Sequence, residues 1–528
     1  MKKILAMVLA LAMMATMLIM PAAVAEGDKP YAGTKLTYWL RFDEKASGVF
    51  SNLAESEWYK RVNEATGIEI EFIHPALGNE SAEFNLMVAG GEYPDIIETN
   101  WTAYSGGPSA AIDDDVIISL DDALKSGKLD NMKAVLDENE IINKSVKTSD
   151  GHYYAVPFLR GTTTEGNSGL FTSGFFMRKD ILDELKLEVP ETIDEWDTVL
   201  HAVKAAHPDM IPFATRTEWL NNIFASGFDA YWDYYVEDGV VKFGQVEDNY
   251  YNLLKKLSSW YAEGLIDPDY LTHKKAGDVR KLMAAGQVFC MYDASSGGTS
   301  NIIPPLLEAG IIKDETDIAT TVPVQKEKGV PAKFAKMNGL YDASGSSVAI
   351  STQCKNVDAA LYLLNWFYSE EGLMNSNWGT EGESYTMVDG LPYYTDLVLK
   401  NPNGLTIAQA QAIYARPSNG ATISDKRVGQ QLAVYTAQKD GATKWTVTDF
   451  GNYMYPAGAA ISSDASEDFA TITNNVKTYR EEMEAKWITG KEELTEERWD
   501  AYQAQMEAYG LSRAISYKQA AYDAFMAN

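Results

Sequence analysis

Cysteine is nearly absent: Cys290 and Cys354 are the only two in 528 residues. That excludes the disulfide framework on which small secreted domains depend. Neither cysteine lies near the start of the chain, so no thiol is available there to carry a lipid. An oxidising compartment permits one bond between the two. Cys290, in the apolar run Val288-Phe289-Cys290-Met291, reads instead as a small buried hydrophobe. Histidine is also sparse. His74, His152, His201, His207 and His273 are scattered with no metal-ligand spacing between any two, so no zinc site is expected. The chain has no G-x-x-x-x-G-K-[ST], no G-x-G-x-x-G opening a helix, no G-x-S-x-G and no H-E-x-x-H. Phosphate-cradling loops, dinucleotide sites, nucleophile elbows and zincin helices are therefore not expected, and no cofactor is implied. Asp113-Asp114-Asp115 lacks the glycine of an EF-hand loop and reads as a solvated turn. Basic excess is missing too: 45 Lys and Arg against 75 Asp and Glu give a formal charge of −30. Such a surface repels nucleic acid and anionic lipid.

The first 25 residues read as an export leader. Lys2-Lys3 is the charged start, Ile4 to Met20 is apolar, and Ala23-Val24-Ala25 precedes the expected cut at Glu26. No other run approaches the roughly 18 apolar residues that a membrane span needs. The roughly 500 residues that follow exceed what one core usually organises, so two lobes are expected. Leu36–Leu40 and Ile68–Ile73 read as strands with Ser56–Ala65 as the helix between them. A helix over Phe84–Ala89 and a strand over Asp95–Glu98 continue the pattern, which argues for a parallel α/β sheet. Thr192 and Glu195 form a capping-box signature, followed by Trp196, Val199, Leu200 and Val203 on one helical stripe. Asp358–Tyr368 reads as a buried helix. The last ~60 residues read as helical, with Thr495 as an N-cap and Gly490 and Gly510 as breaks.

Asn375–Gly390 stands out as a glycine-rich, aromatic loop after a strongly apolar helix. Glycine permits close backbone approach, and Trp378 and Tyr385 offer flat faces with a polar edge. That surface suits a neutral polar ring. Other aromatics fall in loops after strands: Trp39 ends the first, Trp101 and Tyr104 follow the Asp95–Ile97 segment, and Tyr292 leads into the loop Ser295-Ser-Gly-Gly298. Trp219 and Trp232 also lie in polar contexts. Ligands of α/β sheets sit beyond the carboxyl ends of strands, so a polar-aromatic cleft is expected there. Glycoside hydrolysis needs two carboxyl groups across a bond. Glu381 and Glu383 are the best-placed candidates, and the simpler role is that one of them accepts a hydrogen bond from loop backbone or from a ligand hydroxyl.

Several segments, in order, resemble the family 1 extracellular solute-binding proteins of sugar ABC transporters, specifically their large branch, of which the maltose-binding protein is a smaller, distant relative. They are Tyr93-Pro-Asp-Ile-Ile97, Asp150-Gly-His-Tyr-Tyr-Ala-Val-Pro157, and Met177-Arg-Lys-Asp-Ile-Leu182 through Trp196. Asn375–Gly390 and the ending Trp487-Ile-Thr-Gly490, Trp499-Asp500 and Ala520-Ala-Tyr-Asp523 complete the set. The resemblance implies a two-lobed, periplasmic-binding-protein-like α/β fold of type II, hinged about a ligand cleft. It puts residues 26–158 plus 346–400 in the N-terminal lobe and 159–345 plus 401–528 in the C-terminal lobe. It implies chain crossings near 158–175, 340–346 and 400. By position it assigns ligand contact to Trp101, Tyr292, Trp378, Glu381 and Tyr385, with Trp39 and Arg41 beside them. Tyr104, Trp219 and Trp232 join on the reading of aromatic loops.

The implied function is non-enzymatic capture of an oligosaccharide or carbohydrate-like solute by a monomer that serves a membrane permease. The alternatives are a secreted carbohydrate-active enzyme and a binder of a non-sugar solute such as a peptide. Two departures from the family pattern bear on metal and tether. His201–Phe213 lacks the family's calcium-binding D-x-N-G-x-G type of loop, so no metal is expected. Ala25-Glu26 stands where Gram-positive members carry a lipid-modified cysteine, which leaves the chain exported, at the cell surface or in the periplasm, without that anchor.

Overall fold

The computed structural model describes residues 29–527 apart from 165–166, 342–346 and 418. The leader read in residues 1–25 lies outside the described residues, as does most of the expected crossing at 340–346. Among the described residues no helix is long and apolar enough to cross a membrane.

Two four-stranded sheets organise the chain. In the first the order is Ser347–Ile350, Ile96–Thr99, Lys35–Trp39, Glu69–Ile73. Its three N-terminal strands are parallel, and Ser347–Ile350 runs antiparallel to its neighbour. The helix Glu57–Thr66 makes the first crossover. Ser56 caps its start by accepting from the Tyr59 N–H, and Gly67 in a left-handed conformation ends it. Parallel strands covered by helices are buried on both faces, and successive side chains alternate between them. Leu36, Tyr38, Ile70 and Phe72 accordingly join a core with Trp58 and Phe367. Trp39, Ile97 and Ala349 pack on the opposite face with Phe84 and Trp101.

The second sheet has the order Ile318–Ala319, Ser173–Arg178, Val288–Ala294, Ile211–Ala214. Ser173–Arg178 is antiparallel to both neighbours, whereas Ile211–Ala214 is parallel to Val288–Ala294. Alternation divides it as well: Phe175, Met177, Phe213 and Cys290 enter one core, and Phe176, Ala214 and Met291 another. The capping box at Thr192 and Glu195 forms as the sequence predicts, and the stripe from Trp196 to Val203 is buried. The ending is helical (Ser463–Ile488, Glu496–Ala508, Leu511–Ala527), with Thr495 accepting from the Arg498 N–H.

Where the chain leaves the first body, its segments run side by side. Phe158–Leu159 pairs in parallel with Thr422–Ile423, and Leu159 also bridges Tyr341. Tyr154 and Tyr341 share a hydroxyl–hydroxyl hydrogen bond, and the Tyr368 hydroxyl donates to the Pro157 carbonyl at 2.5 Å.

Three local expectations are corrected. The chain does not turn to the second body near 400. The helix Ile407–Tyr414 packs on Glu57–Thr66, Ala421 and Ile423 join the first core, and the chain reaches the second body at Tyr435, Ala437 and Trp445. Besides this packing, the segment is held by a charged contact of Arg416 (below), which no local pattern announces. Ser295–Gly298 is not a loop but the first turn of the helix Ser295–Glu308. Close packing of Gly298 on Phe176 overrides the poor helix propensity of its glycines. Asn375–Gly390 is not one loop either: it ends the helix Glu370–Asn377 and then forms the hairpin Tyr385–Val388 with Leu391–Tyr394. Asp389-Gly390, both at positive φ, is the two-residue turn such a hairpin requires.

Candidate functional site

The loops beyond the carboxyl ends of the parallel strands are the natural place for a ligand. In the first body these loops enclose a cavity of about 560 Å³ lined by Trp39, Arg41, Glu80, Phe84, Glu98 and Asn100 among others. Trp39 is the last residue of its strand and is 5% exposed. Arg41 Nε lies 3.1 Å from Glu80 Oε1, and Glu80 opens the helix Glu80–Gly90, where a carboxylate also favours the helix dipole. Deeper in, Glu98 accepts from the Tyr38 hydroxyl at 2.7 Å and from Arg416 Nη2 at 2.5 Å.

In the second body the strand Ile211–Ala214 runs out into Thr215–Trp219. The Trp219 indole carries the Arg216 guanidinium 3.4 Å from its ring centroid and the Lys336 ammonium at 3.7 Å. Its ring meets Tyr292 edge-on at 5.5 Å. Burial, then the neighbouring Arg216 charge, pushes the Lys336 ammonium down to about 8. Burial also lowers Arg216, against the opposing pull of Glu218 and Asp293. Asp293 is itself held by Arg280, at 2.5 and 3.1 Å. Burial pushes the Tyr292 phenol up to about 12, and its hydroxyl lies 3.2 Å from that of Ser173.

Two cavities adjoin this corner, and Asn222 lines both. One of about 30 Å³ is bordered by Tyr292, Lys336, Phe171 and Trp445. The other, about 570 Å³, is lined by Asn221, Trp232, His273, Arg480 and Glu484 among others. Glu484 accepts from the Tyr250 hydroxyl and from Asn221 Nδ2, each at 2.6 Å, and burial raises its carboxyl above the ordinary value.

The ten residues singled out from the sequence fall into three groups. Trp39 and Arg41 line the first-body cavity. Trp219, Tyr292 and Trp232 surround the second-body corner, Trp232 packing at a tilt on Tyr231 with ring centroids 4.3 Å apart. The other five sit elsewhere. Trp101 is buried, donating from Nε1 to the Ser347 carbonyl at 3.2 Å, and the Tyr104 hydroxyl donates to Asp114 at 2.9 Å. Trp378 is fully buried with Tyr385 and Tyr394, and Glu381 is exposed beside them. That stretch packs on the helix Glu57–Thr66, where Asn375 Nδ2 donates to the Trp58 carbonyl at 3.1 Å. Sequence reasoning passed over Arg216, Lys336, Phe84 and Trp445. Arg216 stands three residues before Trp219 and was legible as its partner, whereas Lys336 belongs to no pattern.

A sequence model of the bacterial extracellular solute-binding proteins matches residues 57–382. The fructooligosaccharide ABC transporter substrate-binding protein FusA of Streptococcus pneumoniae is 26% identical, over 89% of this chain and 87% of that protein. Lipoprotein LipO of Bacillus subtilis is 24% identical over 87% and 88%. Among solved structures, FusA with kestose gives a TM-score of 0.73 at 21% identity, over 94% of this chain and all of that one. A human-milk-oligosaccharide-binding solute-binding protein of Bifidobacterium longum infantis gives 0.71 at 21%, over 93% and 99%. The alginate-binding protein AlgQ2 without calcium gives 0.72 at 21%, over 93% and 98%.

Proposed function

The chain belongs to the bacterial extracellular solute-binding proteins, and from that premise we propose that it captures an oligosaccharide or related carbohydrate for an ABC importer. The observation that carries this reading is the pair of polar-aromatic strand-end surfaces, one on each body, joined through the paired segments at 158–159, 341 and 422–423. Each body acts as a lobe, and closure about those segments brings the Trp39 surface and the Trp219–Tyr292 surface onto one solute. Aromatic faces take the apolar faces of a sugar ring, and Asn100, Asn222 and the ionic groups take its hydroxyls. The names of FusA and of the Bifidobacterium protein support a sugar as the solute class. The partner is the permease of an ABC transporter, and the protein works as a monomer without catalysing a reaction. Export by the leader of residues 1–25 fits a family that acts outside the cell.

The test is thermal shift and tryptophan fluorescence of the chain from residue 26 against a panel of plant, algal and host oligosaccharides. A ligand selective for the folded state must raise its stability, so one sugar class is expected to stabilise the protein by several degrees. No shift across the panel overturns the reading. Shortened products would favour the carbohydrate-active enzyme, and stabilisation by peptides alone the non-sugar binder.

A further inference from the structure

The Trp219 corner holds more positive charge than it neutralises. Among the described residues Lys336 Nζ has no hydrogen bond and no ion pair; it lies 3.7 Å from the centroid of the Trp219 indole. Among the described residues Arg216 pairs with Glu218 alone, at 3.1 Å, and that carboxylate is 64% exposed. The Arg216 Nε is buried, with no hydrogen-bond partner among the described residues. The charged groups facing Lys336 are Arg216, Glu218 and Asp293, and Asp293 is already engaged by Arg280. Burying like charges without partners is costly, and such arrangements collect at functional sites. On a chain of formal charge −30, an excess cation at a strand-end surface, Lys336 beside Arg216, is a specific feature of that place. Stacking on an indole also fixes a guanidinium while leaving edge N–H groups to bond an oxyanion.

We propose that Arg216 and Lys336, held on Trp219, form an anion subsite in the second lobe, so that the captured solute is an acidic oligosaccharide bearing a carboxylate or sulfate. This rests on the oligosaccharide reading above. The solute's oxyanion takes a hydrogen bond from Lys336 Nζ, which borders the small cavity beside Tyr292 and Trp445, and Arg216 on the same indole adds its charge. The competing occupant is a carboxylate of the first lobe, Glu44 or Glu80, arriving on closure.

Titration calorimetry on the chain from residue 26 separates these with matched probes. The pairs are tri-galacturonate and its carboxyl-reduced twin, tri-mannuronate and its twin, and a sulfated galactotriose with its desulfated form. Charge-assisted hydrogen bonds make the acidic member of the accepted pair at least roughly tenfold tighter. The carboxylate and sulfate arms identify which oxyanion fits. Because Lys336 titrates near 8, that preference falls between about pH 7 and about pH 9, while the sugar's own charge stays constant. Lys336→Met keeps the stem on Trp219 and brings the ratio close to one; Lys336→Arg retains it. Equal binding of a neutral twin, with Lys336→Met weakening both alike, overturns the subsite in favour of a lobe-to-lobe contact and leaves the importer reading standing. Binding of neither member of any pair, in protein folded by circular dichroism, overturns the subsite and the oligosaccharide reading together.

Discussion

Arg416 Nη2 donates to Glu98 Oε2 at 2.5 Å across 318 residues of sequence, and both side chains are sealed from solvent. The pair ties the late return of the chain to the end of the strand Ile96–Thr99, at the floor of the first-body cavity. Gly420, at φ +87°, makes room for it: a Cβ there would stand 2.3 Å from Arg416 Nη2 and 2.5 Å from Glu98 Oε2. Removing one partner strands the other charge in the interior. Arg416→Met should therefore cost about 3–5 kcal/mol of stability. Gly420→Ala, which adds strain and displaces the pair, should also lower the urea midpoint. A midpoint within error of the parent for both would show that the pair holds nothing.

Stability should fall in mild acid because of His74. Its Nδ1 lies 3.1 Å from the Leu40 carbonyl and its Nε2 accepts the Leu53 N–H at 3.2 Å, a pattern that needs the neutral ring. Burial holds the imidazole below its ordinary value of 6.5. A depressed folded value means that this contribution is complete above pH 6.5 and is lost as pH falls through the lowered value. Across that window the urea midpoint of the parent should fall relative to that of His74→Gln, because the raised His152 and His201 act the opposite way in both proteins alike. Equal slopes would remove His74 as the cause.

Cys290 and Cys354 are both free and buried. Burial raises the Cys290 thiol well above its ordinary range and pushes Cys354 up to about 12. The thiolate is the reactive form. A thiol reagent should thus count close to none in the native protein and both after denaturation without reductant. A count of none after denaturation would mean that the two are bonded.

Trp378 and Trp39 should part company under substitution. Trp378 is fully buried, donates from Nε1 to Asp425 at 3.1 Å and packs on Tyr394 at 4.8 Å. Trp378→Ala should cost about 3–5 kcal/mol of stability and leave the affinity of the folded fraction for its solute as it was. Trp39→Ala should weaken solute binding. Calorimetry on both variants, set beside their melting curves, checks the contrast, and loss of affinity in Trp378→Ala would return that stretch to the site.

The fold was legible where a local rule and the tertiary structure agree. Thr192 and Glu195 announced a helix and its buried stripe, and the β–α–β rhythm around Ser56–Ala65 announced a parallel sheet. The site was legible only in part, because an aromatic in a polar loop reads the same whether it lines a cavity or plugs a core. Trp39 and Trp219 line the strand ends, whereas Trp101 and Trp378 spend their indole N–H groups on internal partners. Lys336 and Arg416 act through contacts to residues far off in sequence, and no periodicity records those.

Titration calorimetry with the sugar class that stabilises the protein, followed by recovery of the bound sugar and mass analysis, tests the central claim most directly. The account predicts saturable binding of one solute per chain, with the oligosaccharide returned at its original mass. Shortened products, or no saturable binding of any oligosaccharide, would contradict it.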